Sequence, residues 1–241
     1  MLNLQLGGSL VGGGFGGGAA PAWSPTDLAS LYEWWDTTQD VTSASNKVSA
    51  WTGQGDDTIT LAQGSASKQP TTGITTMNGV NVITTDDSDD SLITGSLTLP
   101  SSATIFITMN TNADAVYIPI CDGLTGSRFA FIAQFGSSTT TLSANSGTPT
   151  YRKNGVAQTF ANRGAAYTAF NTGDNILVIE SANLSAWGTL QIGEYYQSTG
   201  LLSNLDYGDI IVLDNTATTA DKNNVGNYLA DKFGMTWTTI A

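Results

Sequence analysis

Short runs of alternating or β-branched residues, separated by turn residues, follow one another along most of this 241-residue chain. The predicted strands are residues 33–36, 48–51, 58–61, 80–84, 96–99, 103–109, 115–120, 128–135, 139–144, 176–180, 190–196 and 209–213. Hairpin signals stand between several of them, most clearly Asn78-Gly79 and Asn154-Gly155. Many short strands at this spacing predict an all-β sandwich or barrel.

The composition agrees with one β domain. Charged residues make up only 12% of the chain, and Thr, Ser, Asn and Gly fill the polar positions, as is typical of strands and turns. A chain of this length lies within the range of a single all-β domain. We therefore predict one sandwich domain over residues 23–241.

Two helix signals flank the predicted strands. Ser24-Pro25 begins a short helical turn before the strand at 33–36. Near the other end, Thr218 and Asp221 have the spacing of a capping box, apolar residues then repeat at helical spacing, and Gly234 follows as a C-cap. This pattern predicts a C-terminal helix over 219–233 whose apolar side packs on the sandwich.

The first 22 residues differ from the rest. Residues 7–18 are mostly glycine, so this segment buries too little surface to offset its own ordering entropy. We expect a partner chain to order this N-terminal arm, with alternating leucines added to a partner's sheet edge and larger side chains filling small pockets. The predicted partner-docking residues are Leu2, Leu4, Leu6, Leu10, Val11 and Phe15.

Charge and residue usage exclude several classes of function. The net charge of −12, with only eight Lys and Arg residues, predicts no binding to nucleic acid or to an anionic membrane. The chain has no histidine, and its single cysteine, Cys121, is typical of a small buried residue. No apolar run approaches a membrane span, and the N-terminal segment lacks the features of a secretory signal, which predicts synthesis and assembly in the cytoplasm.

Several segments together resemble the concanavalin A-like, laminin-G-type jelly-roll domains of bacterial and tailed-phage surface proteins. They are residues 31–36 (LYEWWD), 48–51 (VSAW), 78–79 leading to 89–92 (DDSL), 208–212 (GDIIV) and 228–234 (YLADKFG). The resemblance implies a jelly-roll β-sandwich. In phage members of this group the jelly roll is a head or tail surface module docked by an N-terminal extension, and the glycine-rich arm fits that arrangement.

Catalysis is not expected. A retaining glycosidase of this fold places two glutamates and an aspartate along one strand, with two carboxyl groups about 5 Å apart. The three glutamates, Glu33, Glu180 and Glu194, are far apart in sequence, and the pattern Glu-x-Asp-x-x-Glu is absent. Only Glu180 and Glu194 could meet across neighbouring strands. Polar residues on a solvated strand face are the favoured interpretation.

The densest acidic run is Asp86, Asp87, Asp89 and Asp90, interrupted by Ser88. Two interpretations stay open for it. Hard cations favour clustered carboxylates, so the run is a candidate calcium site, although its spacing differs from that of an EF-hand loop. A hydrated surface loop without a cation is the simpler interpretation, and no other cofactor is predicted.

The six tryptophans invite a sugar-stacking interpretation, but large aromatic residues in a sandwich usually belong to the core. Trp34 and Trp35 point to opposite faces of a strand, so we expect at most one of them to be buried. Trp187, Tyr195 and Tyr196 are expected to be exposed and are the candidate glycan-binding residues.

The sequence thus favours a virion structural protein of a tailed phage, either a capsid decoration protein or a head- or tail-fibre surface module. Its expected partners are other virion proteins and further copies of itself, and its expected location is the virion. The alternative is a carbohydrate-binding module that adsorbs to host glycans. A polysaccharide-cleaving enzyme is the third hypothesis.

Overall fold

The computed structural model describes residues 23–86, 88–112, 116–117, 119–124, 128–194 and 203–241. Over these residues the protein is mostly β, with 15 strands and two α-helices. The strands are β1 Leu31–Trp35, β2 Val41–Ala44, β3 Lys47–Thr52, β4 Thr60–Ala62, β5 Thr71–Met77, β6 Val80–Thr84, β7 Leu92–Thr94, β8 Ala103–Thr111, β9 Val116–Tyr117, β10 Ala133–Gln134, β11 Thr150–Lys153, β12 Val156–Gln158, β13 Asn175–Ala182, β14 Gln191–Ile192 and β15 Leu205–Leu213. The helices are α1 Arg163–Phe170 and α2 Thr219–Phe233.

The strands form an antiparallel β-sandwich. The hydrogen-bonded order is β12-β11-β13-β8-β15-β6-β5-β3-β4-β7-β14, with β1 added beside β15 and β2 beside β3. At the centre, Ile107 of β8 lies opposite Leu177 of β13 and Ile210 of β15. The main hydrophobic core joins these central strands to residues of β3, β4, β7 and β14, so the two ends of the strand order face each other across it. The predicted β-sandwich class is therefore confirmed.

The central strands are covered on both faces. Ile105 and Ile107 of β8 enter the main core, whereas Phe106, between them, enters a second core. Apolar residues of α2, among them Val225 and Leu229, close that second core. Because the sheet lies between the main core and the helix, all nine residues of β15 are buried.

This arrangement corrects the expectation for the paired tryptophans. Trp34 and Trp35 do point to opposite faces, but both are buried, with exposed fractions of 4% and 0%. Trp35 lies in the main core and Trp34 in the second core. The expectation that at most one would be buried was wrong because α2 shields the outer face of the sheet.

The local signals for turns and for the C-terminal helix are confirmed. Asn78-Gly79 and Asn154-Gly155 join β5 to β6 and β11 to β12, and all four residues have positive φ, as a two-residue hairpin requires. The helix α2 spans the predicted 219–233. Thr218 and Asp221 form the expected reciprocal capping bonds, and Gly234 ends the helix at φ 69°.

Other strand predictions were wrong. Residues 96–99 and 139–144 form no strand, because only scattered backbone bonds, such as Leu97 N–H to the Gly188 carbonyl, tie them to neighbours. The strand predicted over 128–135 is reduced to β10, Ala133–Gln134.

The predicted helical turn is a single 3₁₀ turn, Pro25–Asp27, after which β1 begins at Leu31. None of the described helices has the length and apolar content to cross a membrane.

Candidate functional site

The acidic run lies in the loop between β6 and β7, and both ends of this loop are fixed. Thr85, directly after β6, is fully buried, and its hydroxyl donates a hydrogen bond of 2.8 Å to the Ser203 carbonyl. At the other end, Ser91 N–H donates to the Lys68 carbonyl just before β7 begins. The loop therefore presents its carboxylates from a rigid base.

Three carboxylates of this loop meet. One oxygen from each of Asp86, Asp89 and Asp90 lies within 4.8 Å of the other two. Asp86 Oδ1 accepts hydrogen bonds from the backbone N–H groups of Ser88, Asp89 and Asp90, which folds the loop around it. We call these three carboxylates the acidic cluster. The fourth residue of the sequence prediction, Asp87, lies outside the described residues.

Asp90 is the buried member of the acidic cluster, with an exposed fraction of 2%. Its Oδ2 accepts a hydrogen bond of 3.3 Å from Asp86 N–H. Its Oδ1 is buried and has no hydrogen-bond partner among the described residues, and the nearest ammonium, Lys47 Nζ, is 3.8 Å away. Burial, reinforced by repulsion from Asp86 and Asp89, raises the pKa of Asp90 to about 6 although Lys47 opposes the shift.

The repulsion within the acidic cluster is appreciable. Two unit charges 4.8 Å apart repel each other by about 0.9 kcal/mol in bulk water and by about 3.5 kcal/mol at an effective dielectric constant of about 20. Asp86 is exposed and Asp90 is buried, so the repulsion between them is screened less than between two charges in bulk water. A bound cation would turn this repulsion into attraction.

A fourth carboxylate stands next to the acidic cluster. Glu194 follows β14 and is 6% exposed. Burial raises its pKa, and the charge of Asp89 raises it further, while Lys68 opposes both effects. Gly193 makes this approach feasible, because its φ is +88° and a Cβ there would lie 2.3 Å from the Asp90 carbonyl oxygen.

Of the three candidate glycan-binding residues, only Trp187 lies among the described residues. Trp187 is 2% exposed, lies in the main core and donates from Nε1 to the Asn145 carbonyl at 3.3 Å, so the expectation that it is exposed was wrong. The turn that carries it is closed by a hydrogen bond from Trp187 N–H to the Leu184 carbonyl, and both side chains enter the main core. Tyr195 and Tyr196 lie outside the described residues, as do the docking residues Leu2, Leu4, Leu6, Leu10, Val11 and Phe15.

The three glutamates occupy separate environments. Glu33 is fully buried, and its carboxylate accepts hydrogen bonds from the N–H groups of Trp34, Gly55 and Ile59. Burial nevertheless raises its pKa. Glu180 forms ion pairs with Arg152 and Lys222, whereas Glu194 lies beside Asp89 and Lys68. Within the described part of the chain, these three side chains thus share no interaction partner.

Sequence reasoning missed a groove beside α2. The groove has a volume of about 570 Å³ and is lined by Trp23, Asn224, Asn227, Tyr228, Asp231 and Lys232. Trp23 and Tyr228 pack edge to face with ring centroids 5.8 Å apart. The polar stripe of α2 was visible in the sequence, but the approach of Trp23 depends on tertiary structure. Aromatic rings beside amides and a carboxylate are chemically suited to a saccharide.

No protein-family model, no curated protein and no solved structure matches this chain. Its function is therefore inferred from the chemistry of its own residues, namely the acidic cluster, the groove beside α2, the buried ion pairs and the glycine-rich arm.

Proposed function

We propose that this chain is a non-catalytic surface module of a tailed-phage virion, either a capsid decoration protein or a head- or tail-fibre module. Residues 23–241 would be a concanavalin A-like jelly roll, and residues 1–22 would attach it to other virion proteins. Several copies on a symmetric particle would add avidity, and contacts between copies would make it a homo-oligomer.

The observation that carries this proposal is that buried charged side chains of the sandwich are paired with one another in ion pairs. Lys232 binds Asp36 and Asp209, and Glu180 binds Arg152 and Lys222. These groups hold strands and α2 together, so they are not available as an acid and base facing a substrate. A body built in this way supports a carrier or display role better than a catalytic one.

The arm supplies the attachment in this proposal. Leu2, Leu4 and Leu6 alternate with polar residues, as in a strand that adds to a sheet edge of another protein. Intermolecular backbone hydrogen bonds and the burial of these leucines would offset the entropy lost when the arm becomes ordered. The glycines would let the backbone lie close against its neighbour.

Point variants of the arm test the proposal. A phage whose copy of this gene is disrupted is complemented with the wild-type chain or with Leu2→Ser/Leu4→Ser/Leu6→Ser, and purified virions are immunoblotted for the chain. We expect the triple variant to fall at least tenfold in virions while staying soluble in the lysate. The matched control, Asn3→Ala/Gln5→Ala, changes the opposite side of the same segment and should be incorporated normally. Equal incorporation of both variants, or absence of the wild-type chain from virions, would contradict the proposal.

Carbohydrate binding is the alternative, and the groove beside α2 favours it. In this hypothesis Trp23 and Tyr228 would contact a sugar ring while Asn224, Asn227 and Asp231 would bond its hydroxyls. A glycan array probed with the full chain should then give hits that Trp23→Ala abolishes. Phe135→Ala, which removes a ring that is 60% exposed elsewhere, is the control. An array without hits would exclude this alternative.

Polysaccharide cleavage is the third hypothesis. It requires two carboxyl groups facing one bond, and Glu180 is already paired with two cations. This hypothesis requires that the chain hydrolyse a polysaccharide and that Glu180→Gln or Glu194→Gln abolish this activity.

A further inference from the structure

The loop between β6 and β7 offers carboxylate oxygens that accept no hydrogen bond from the described residues. Asp86 Oδ1 accepts hydrogen bonds from three backbone N–H groups, and Asp90 Oδ2 accepts one from the N–H of Asp86. The described residues of the loop are therefore already held by hydrogen bonds among themselves. One oxygen of each of these two carboxylates accepts no hydrogen bond from the described residues and can bind another partner.

The remaining oxygen of Asp90 also indicates a ligand, independently of the close approach of the three carboxylates. Asp90 Oδ1 is buried, its side chain is 3% exposed, and no hydrogen bond reaches this atom from the described residues. A buried acceptor without a partner is rare in native proteins and requires an explanation. Lys47 forms an ion pair with this oxygen, but its Nζ is 3.8 Å away, which is too far for a hydrogen bond.

Charge around this oxygen favours a cation. Asp86 and Asp89 lie beside Asp90, and Glu194 lies beside Asp89. Lys47 acts on Asp90 and Lys68 on Glu194, so four carboxylates face two lysines and the neighbourhood stays negative. Carboxylate oxygens are hard ligands, so the matching partner is a hard cation such as calcium or magnesium rather than a transition metal.

Calcium suits this loop better than magnesium, because calcium accepts irregular shells of oxygen ligands whereas magnesium demands near-octahedral geometry and dehydrates reluctantly. Calcium binds oxygen at about 2.3–2.6 Å, so two oxygens on opposite sides of one ion are about 4.6–5.2 Å apart. Magnesium binds at about 2.0–2.1 Å, which limits that separation to about 4.2 Å. The oxygens of the acidic cluster lie no more than 4.8 Å apart, which is within the span of a single calcium ion.

We propose that Asp86, Asp89 and Asp90 bind one calcium ion at the base of the β6–β7 loop, with Asp90 Oδ1 as the buried ligand. Neighbouring backbone carbonyls and water would complete the shell, as in other calcium sites. The ion would cross-link the loop and hold β6 and β7 in place. Neither the arm nor a virion is needed for this binding.

The experiment measures calcium binding to the full chain. Protein stripped with EGTA and dialysed is titrated with calcium chloride or magnesium chloride by calorimetry, and its thermal unfolding is followed in EGTA and in excess calcium. We expect one calcium per chain, at least tenfold weaker binding of magnesium, and an increase in Tm of about 5–10 °C at a hundredfold excess over Kd.

Variants assign the ion to the acidic cluster. Asp90→Asn keeps the shape of the side chain and relieves repulsion, so its Tm in EGTA should equal or exceed that of the wild type, while the calcium-dependent increase should disappear. Lys47→Met removes the competing ammonium and should tighten calcium binding by roughly three- to tenfold. The control Asp56→Asn/Asp57→Asn, which removes an exposed acidic pair elsewhere, should bind as the wild type does.

Three results would overturn the proposal. The first is absence of calcium-dependent heat and of a Tm increase in the wild type at 10 mM calcium. The second is calcium binding by Asp90→Asn with unchanged affinity. The third is an equal loss of binding in the Asp56→Asn/Asp57→Asn control, which would indicate a diffuse effect of surface charge.

Discussion

At the residue scale, one ammonium group is shared by two buried carboxylates. Lys232 Nζ is 2.7 Å from Asp36 Oδ1 and 2.7 Å from Asp209 Oδ2, and its side chain is 13% exposed. Burial raises the pKa of Asp209, although Lys232 opposes the shift. For Asp36, burial acts in the same direction, but hydrogen bonds from Lys232 and Thr38 outweigh it and lower the pKa. Lys232 thus balances two charges that would otherwise repel each other.

Replacing this lysine should be severely destabilising. Lys232→Met leaves Asp36 and Asp209 buried without their cation, and we expect the free energy of unfolding in urea at pH 7 to fall by about 3–5 kcal/mol. The control is Lys68→Met, on a surface turn, with an expected change below about 1 kcal/mol. Similar losses in the two variants would show that Lys232 has no special role.

Glu180 gives the fold a dependence on pH. Burial alone would raise its pKa, but hydrogen bonds from Lys222 at 2.9 Å and Arg152 at 2.6 Å lower it below the ordinary value of 4.5. A carboxyl group whose pKa is lower in the folded state stabilises the protein above its unfolded pKa. That stabilisation is lost as the pH falls from about 4.5 through the folded pKa.

Glu180→Gln should therefore cost about 1–3 kcal/mol of unfolding free energy at pH 7, and the difference from the wild type should shrink as the pH falls below 4.5. Urea unfolding at pH 7, 5 and 3.5 measures it. The matched control, Asp56→Asn, removes an exposed carboxylate and should track the wild type at every pH. A difference between Glu180→Gln and wild type that is constant across this range would contradict the pKa assignment.

At the element scale, the helix α2 depends on a close contact as well as on its caps. Gly226 lies on its buried side, and a Cβ there would lie 2.1 Å from Cε2 of Trp237. Trp237 is itself held by a hydrogen bond of 3.1 Å from its Nε1 to Asn223 Oδ1. The C-terminal segment can pack on α2 only because this position carries no side chain.

Gly226→Ala should destabilise the protein even though alanine favours helix. The gain in helix propensity is about 1 kcal/mol, whereas overpacking of a closed contact costs about 1–3 kcal/mol and displaces Trp237. We expect a net loss in urea unfolding together with a change in tryptophan fluorescence. Gly64→Ala, where a Cβ would meet nothing within 4 Å, is the control and should be nearly neutral. A more stable Gly226→Ala would show that the contact is loose.

Elements with strong local signals were predictable, and those that depend on tertiary contacts were not. The caps of α2 and the Asn78-Gly79 turn are encoded within four residues, so the sequence located β6 and α2 correctly. The helix α1 was missed because it is only eight residues long and its start depends on the Asn162 cap. Residues 139–144 begin with three β-branched threonines, which favour a strand, but no neighbouring strand pairs with them along their length.

At the scale of the whole molecule, the class of fold followed from strand spacing, whereas its layering did not. Burial of both Trp34 and Trp35 requires α2 on the outer face of the sheet, which no local pattern specifies. The candidate site was likewise predictable only in part. The acidic run was visible in the sequence, but the burial of Asp90 and its distance from Lys47 depend on how β3, β6 and β7 assemble. The burial of Trp187 likewise depends on the fold.

The body and the arm have separate roles in this account. Over the described residues the sandwich has three hydrophobic clusters and its own internal ion pairs, so it should fold without the arm. The arm, with its run of glycines, should contribute docking and little stability. Deleting the arm should therefore separate stability from assembly.

The most direct measurement is the copy number of the chain in purified virions after complementation with the full chain or with a deletion of residues 1–18, alongside the Tm of each purified protein. We predict a Tm within about 2 °C of the full chain for the deletion, and no detectable copies in virions. A deleted chain that keeps its Tm and is incorporated at the full copy number would contradict attachment through the arm.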